Sequence, residues 1–291
     1  MADFTPALSV VIPTFNNEAV LRQCLAGWER FGGDEVELIV VEDGCKDGTP
    51  ALLTMIAASP WGSRHLGWLH QDDAHELRCT NAGMKQARAP LVMAWQDDMF
   101  LRASWLVPEL LRTFAAYPEL GLLSLSRGLN CAPLDEPITR WEDLTDWRRL
   151  QSTIGPGPGN WFRLQEVDVV IRPWIVRRAC IDRVGLLDEA FRPTEWDEAD
   201  LAYRIREAGW RVATCGYERL GGYFHLGSTT IGSPSAAYLA RVLKNGLLFH
   251  ERWDRTIAAQ HPRERRTWTR RATLGGWGAT ASAIARAVVR A

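Results

Sequence analysis

Hydrophobic and polar positions fall into two alternating periods along the first hundred residues. Mostly apolar runs at 8–13, 36–41 and 91–95, with a shorter one at 66–69, read as buried strands. Between them, 18–30, 49–58 and 75–87 read as helices, the first with a clear amphipathic pattern. Strands alternating with helices of this length predict parallel β-α-β units with helices on both faces of the sheet. Ligands of such sheets bind beyond the carboxyl ends of the strands, at the point where strand order reverses. Thr14-Phe15-Asn16, Glu42-Asp43 and Asp97-Asp98 each stand just past a strand end. Three polar clusters are thereby placed where one ligand can touch them all.

The alternation breaks over 127–165. Pro133, Pro137 and the run Gly155-Pro156-Gly157-Pro158-Gly159 predict a long loop or small insertion. Trp141, Trp147 and Trp161 within it favour an ordered lid over a disordered segment. Regularity returns with a strand at 167–171, helices at 176–184 and 197–208, and extended segments at 211–215 and 223–225. From 235 onward the chain reads as mostly helical. The expected organisation is one α/β domain over 1–234 carrying the lid-like insertion, followed by a helical C-terminal extension over 235–291.

With 291 residues the chain is long enough to bury a sizeable core. Its 34 basic and 35 acidic residues nearly cancel, so no global field favours nucleic acid. The six cysteines are scattered without a Cys-x-x-Cys pair, which argues against a zinc site or a disulfide framework. No signal-peptide pattern and no apolar run of transmembrane length is present, and a cytoplasmic location is expected. Charge is uneven at the end. After Glu264 no acid is found, whereas Arg265, Arg266, Arg270, Arg271, Arg286 and Arg290 are, interleaved with Trp268, Leu274, Trp277 and Ile284. This tail reads either as a basic helix lying on the inner face of an anionic membrane, or as one docked on its own domain or on a second copy in a homo-oligomer.

Two clusters suggest chemistry. The strand at 91–95 runs into Gln96-Asp97-Asp98, and unpaired Asp is costly to bury, so these carboxylates should open onto a site. Hard divalent cations use such oxygen ligands, often completed by substrate phosphates; otherwise the run is a turn capping the next segment. Glu195-Trp196-Asp197-Glu198-Ala199-Asp200 packs four carboxylates at a helix start. One or two suit the helix dipole, but four exceed capping, and like charges this close raise one another's pKa.

Six segments, in order, carry a family resemblance: Ser9-Val10-Val11-Ile12-Pro13-Thr14-Phe15-Asn16, Val41-Glu42-Asp43-Gly44-Cys45-Lys46-Asp47-Gly48-Thr49, Asn81-Ala82-Gly83-Met84, Gln96-Asp97-Asp98, Gly185-Leu186-Leu187-Asp188-Glu189-Ala190-Phe191 and Asp197-Glu198-Ala199-Asp200-Leu201-Ala202-Tyr203-Arg204. Together they resemble the family 2 glycosyltransferases over roughly residues 8–255. His225-Leu226-Gly227-Ser228-Thr229-Thr230 and residues 245–253 resemble the rhamnosyltransferase-like branch that builds bacterial surface polysaccharides.

The resemblance implies a GT-A fold, Rossmann-like, with a mixed and mostly parallel sheet. It implies a nucleoside-diphosphate-sugar donor, with Asp43 on the base, Pro13, Thr14 and Asn16 shaping the pocket, Arg78 and Asn81 flanking the nucleotide, and Asp97 near the ribose or a coordinated water. Asp98 would hold a divalent metal, Mn2+ or Mg2+, with His225 completing its shell; Gln96 stands where the family has a first carboxylate. Glu198 would be the catalytic base, although most relatives have aspartate there, with Asp197 in reserve and Trp196 stacking on the acceptor. The implied reaction is inverting sugar transfer to a hydroxyl of a glycan or lipid-linked acceptor in cell-surface polysaccharide synthesis. The alternative is a non-catalytic nucleotide-sugar- or glycan-binding relative. A nicotinamide oxidoreductase is set aside, because Pro13-Thr14-Phe15-Asn16-Asn17-Glu18 lacks the glycines its first turn needs.

Overall fold

The computed structural model describes residues 4–131, 151–154, 164–227, 236–260 and 267–268. The first part runs β1 (Leu8–Thr14), α1 (Glu18–Phe31), β2 (Val36–Asp43), α2 (Thr49–Ala57), α3 (Gly62–His65), β3 (Leu66–Gln71), α4 (His75–Gln86) and β4 (Leu91–Ala94). The strands pair in parallel in the order β3-β2-β1-β4. β2 and β4 are buried at every position, as parallel strands covered on both faces must be. α1 buries one stripe only, Leu21, Cys24, Leu25 and Trp28, at helical spacing. α4 lies hard against the sheet at Gly83, where a Cβ would come within 2.3 Å of Val11 Cγ1. That contact seats α4 on β1 and β2, and Asp43 at the end of β2 holds its N-terminus.

The second part runs β5 (Met99–Leu101), α5 (Leu106–Ala116), β6 (Leu120–Ser124), β7 (Gly128–Cys131), β8 (Gln151–Ile154), β9 (Leu164–Glu166), β10 (Val169–Val170), β11 (Trp174–Arg177) and α6 (Arg178–Val184). A 3-10 turn over Glu189–Phe191 leads to α7 (Asp197–Glu207), β12 (Arg211–Thr214), β13 (Tyr223–His225), α8 (Ala236–Gln260) and β14 (Thr267–Trp268). β11 inserts antiparallel between β4 and β6. Among the described residues the main sheet has nine strands, ordered β14-β9-β12-β6-β11-β4-β1-β2-β3. It is mixed α/β, parallel through its first four strands, with helices packed on it. Smaller sheets pair β10-β7-β8 and β13-β5.

Several elements differ from the expected ones. Val176 and Arg177 close β11 instead of opening a helix, because Val176 pairs with Val92 and is fully buried between β4 and β6. A short buried apolar run looks the same in either element. The 127–165 stretch contributes β7, β8 and β9, and only two residues of the expected 167–171 strand, Val169–Val170, form β10. Pro133, Pro137, the 155–159 run, Trp141, Trp147 and Trp161 lie outside the described residues. In the tail, Thr267–Trp268 pairs with β9 as a strand where helix was expected; the remainder of 261–291 lies outside the described residues. α8 is not loosely attached: Phe249 and Ile257 are buried in the core with Tyr203 and Phe191. No helix among the described residues is long and apolar enough to cross a membrane.

Candidate active site

Two adjoining cavities open at the carboxyl ends of the first strands, and Glu76, Gln96 and Thr194 line both. The smaller, about 360 Å³, is bounded by Pro13, Thr14, Phe15, Asp43, Cys79 and Asp97 among others. Asp43, the last residue of β2, accepts a hydrogen bond from Ala74 N at 2.6 Å on Oδ1 and from His75 N at 2.8 Å on Oδ2. These are unpaired donors at a helix start, and the carboxylate satisfies them while the helix dipole favours its charge. Gly44 then turns the chain at φ 64, a conformation that suits glycine. Thr14 Oγ1 donates to Asp97 Oδ2 at 2.6 Å, tying β1 to the acidic strand end. Burial pushes the Asp97 carboxyl up to about 6; Thr14 and Asn17 oppose this and the Asp98 charge adds to it.

Three residues expected around the nucleotide do not line the smaller cavity itself. Asn16 is exposed, and its Oδ1 accepts from Lys46 N at 2.7 Å, linking the two strand-end loops instead of facing the cavity. Asn81 is buried with its amide consumed by Leu187, donating to the carbonyl at 2.8 Å and accepting from the amide at 3.0 Å. Arg78 pairs with Glu189 at 2.9 Å and lines another hollow, with Arg192 and Lys244, that adjoins the smaller cavity through His75, Pro193 and Arg241. A helix-surface residue and a residue inside a helix–loop contact share one sequence pattern, so only packing separates them.

The larger cavity, about 700 Å³, contains the acidic cluster. Glu195 and Trp196 both adopt left-handed backbone, at φ 78 and 67, which costs about 1–3 kcal/mol at each residue. The strained turn launches α7 so that Asp197 and Glu198 border the cavity while Asp200 points away. Asp200 is fully buried and binds Arg204 Nε at 2.7 Å and Trp253 Nε1 at 3.0 Å, anchoring α7 to α8. Arg172 reaches in from the segment before β11. It pairs with Glu76 and lies 3.6 Å from Asp197 Oδ2 and 3.4 Å from Glu198 Oε2. Trp174 Nε1 donates to the same Glu198 oxygen at 2.8 Å. Burial raises the pKa of Asp197 and of Glu198; Arg172 opposes it for both, and neighbouring carboxylates add to it. Glu195 is also raised by burial, with Tyr238 donating to it at 2.8 Å. Trp196 packs its ring 5.1 Å from Phe249 and also lines the cavity.

β13 pairs antiparallel with β5, setting His225 opposite Met99 and so beside Asp98. His225 Nε2 lies 3.3 Å from Asp98 Oδ1, and the Asp98 contact raises the imidazole pKa. His225 and Gln96 line the larger cavity. Among the described residues no third His, Cys, Asp or Glu completes a protein-only metal cluster. A buried carboxylate and an imidazole within one cation's reach suit a site whose remaining oxygens come from substrate.

Glu76, Arg172, Trp174 and Thr194 were not singled out from sequence. One signal was present: Arg172 is a lone charge between Val169-Val170-Ile171 and Trp174-Ile175-Val176, and a charge inside an apolar stretch must be paired if it is buried.

Residues 9–124, the span from β1 through β6, match the model of Glycosyl transferase family 2. This segment is similar to the family 2 glycosyl transferases. A putative glycosyltransferase, EpsH, of Bacillus subtilis (strain 168) is 26% identical over 105 residues, 36% of this chain and 28% of that protein. Structural likeness reaches beyond the family 2 segment. The crystal structure of GalNAc-T7 with UDP, GalNAc and Mn2+ superposes with a TM-score of 0.61 at 11% identity, over 88% of this chain and 51% of that one. Staphylococcus aureus TarS 1-349 in complex with UDP gives 0.51 at 14% identity, over 72% and 57%. At these identities the likeness speaks for the fold, GT-A. The chain spans little more than half the length of the matched structures and about a quarter of EpsH.

Proposed function

We propose that this protein is an inverting, metal-dependent glycosyltransferase. It moves a sugar from a nucleoside diphosphate to a hydroxyl of a glycan or lipid-linked acceptor, in cell-surface polysaccharide synthesis. The observation that carries the reading is the pair of joined cavities. One lies at parallel strand ends in the segment matching family 2, and the other holds buried or half-buried carboxylates of raised pKa. The crystal forms of the structural relatives, with UDP and in one case Mn2+, support a nucleotide donor and a divalent ion.

The nucleotide occupies the smaller cavity. Asp43 holds the start of α4 and offers its outer lone pairs to the base, Pro13 and Thr14 wall the pocket, and the exposed ring of Phe15 gives the base a flat apolar face. Asp98 and His225 hold the cation, with Asp97 beside them. When bound, that ion neutralises charge on the leaving diphosphate. In the larger cavity Glu198 is the general base. The acceptor oxygen forms its bond to the anomeric carbon as the bond to the diphosphate oxygen breaks on the opposite face. Glu198 takes the hydroxyl proton, and burial favours the protonated acid it becomes. Trp174 and Arg172 orient it, Asp197 is the reserve acid, and Trp196 offers the acceptor an aromatic wall. The α/β unit covers 1–234, with 235–291 as a C-terminal extension whose basic tail meets a membrane, its own domain or a second copy. The protein acts on the cytoplasmic side of the membrane.

The test is release of nucleoside diphosphate from a panel of nucleotide sugars with Mn2+. The wild type should turn over one donor class, and Glu198→Gln should abolish turnover while still binding the nucleotide. A wild type that binds nucleotide sugars without any turnover would favour the non-catalytic relative instead.

A further inference from the structure

Three residues, Glu76, Gln96 and Thr194, line both cavities. On the proposed function, which this inference rests on, the nucleotide lies on one side of them and the base on the other. The anomeric carbon must be reached from both sides, so the transferred sugar crosses this junction. The junction is rigid. Thr194 Oγ1 donates to Glu76 Oε2 at 3.0 Å, and Arg172 pairs with the other Glu76 oxygen. The Arg172 side chain is only 8% exposed and is shared with Asp197 and Glu198.

The charge balance here is one-sided. Glu76, Glu195, Asp197 and Glu198 surround Arg172, whose positive charge is already divided among three of them. Arg127 and Arg219 line the larger cavity with Glu218, Arg127 near enough to act on His225, and Arg241 lines the smaller one near enough to act on Glu195; none of these borders both. Carboxylate and amide oxygens accept hydrogen bonds from sugar hydroxyls, and the charged acceptors make the stronger ones. A carboxylated sugar would bring a further negative charge among four acids in a partly buried site, where like charges repel strongly.

We infer that Glu76 and Thr194, fixed by Arg172, form the subsite for the transferred sugar and select an uncharged, hydroxyl-bearing pyranose against a uronic acid. Titration calorimetry on the full chain tests this. UDP, GDP and dTDP are compared first, and then the neutral-hexose and uronic-acid conjugates of the nucleotide that binds. In the wild type the uronate conjugate should bind about tenfold more weakly than the neutral one. Glu76→Gln should narrow that gap to about threefold or less, read as the ratio of the two conjugates' Kd values within the same variant. Thr194→Val keeps every Arg172 pair and should weaken the neutral conjugate more than it weakens the bare nucleotide. Equal binding of uronate and neutral conjugates in the wild type overturns the inference and leaves the nucleotide-donor reading standing. So does a gap unchanged in Glu76→Gln together with a Thr194→Val that binds like wild type. If no nucleoside diphosphate binds at all, the donor reading falls and the inference with it.

Discussion

The two cavities share a wall and are built by opposite means. In the smaller one the acids meet fixed neutral donors: Asp43 takes two backbone N–H groups from the start of α4, and Asp97 takes the Thr14 hydroxyl. In the larger one Asp197 and Glu198 crowd with Glu76 around one arginine, and burial raises the pKa of both. The first arrangement spends its polar groups on holding a shape. Burial raises the pKa of Asp97 in the first as well, but only the second gathers several raised carboxyls around one arginine, as a site for proton transfer requires. Binding and chemistry are thus assigned to different walls, and substitutions should separate them.

The largest separation is expected at Glu198. Glu198→Gln should lower turnover by about 10²- to 10⁴-fold with unchanged affinity for the nucleoside diphosphate, read from kcat beside calorimetry. A parallel loss of affinity would erase the distinction. Asp43→Ala should do the reverse. It leaves two backbone N–H groups at the start of α4 without their acceptor, costs about 1–3 kcal/mol in thermal unfolding, and weakens nucleotide binding. Donor already bound should still turn over. Asp98→Ala should cost about tenfold in nucleotide affinity with Mn2+ present, and nothing without it. An equal loss in both conditions would remove Asp98 from the metal.

The smallest effect is one of pH. Burial favours the neutral acid, so Glu198 ionises above the range of an ordinary glutamate, about 4.3. A base works only when ionised, so the rate should rise with increasing pH along a limb displaced to higher pH. The Trp174 N–H favours the ionised form. Trp174→Phe should therefore move the limb higher by about 0.5–1 pH unit. A shift to lower pH would contradict the assigned hydrogen bond.

The same contrast governs what could be read from sequence. β1, β2 and β4 announce themselves, because strands covered on both faces are mostly apolar, with Ser9 and Glu37 bonded to each other as the exception, and their ends are polar. The acids of the second cavity were visible as a cluster for the same reason, being too many to be caps. Asn81 and Asn16 were not separable from cavity residues, since an amide that staples Leu187 and one that faces a ligand occupy the same pattern. Arg172, Glu76 and Thr194 meet across long sequence separations, and only the insertion of β11 between β4 and β6 brings Arg172 over the start of α7. Val176 and Arg177 read as the start of a helix, as three buried residues and an arginine carry no period.

The most direct test of the division between the two cavities is a crystal structure of the chain with the nucleoside diphosphate it binds and Mn2+. The account predicts the base against Phe15 and Asp43 in the smaller cavity. The diphosphate should lie at Asp97 and Asp98, with its terminal phosphate toward Glu76 and Thr194. A nucleotide seated among Arg172, Asp197 and Glu198, or a diphosphate turned away from Asp98, would contradict it.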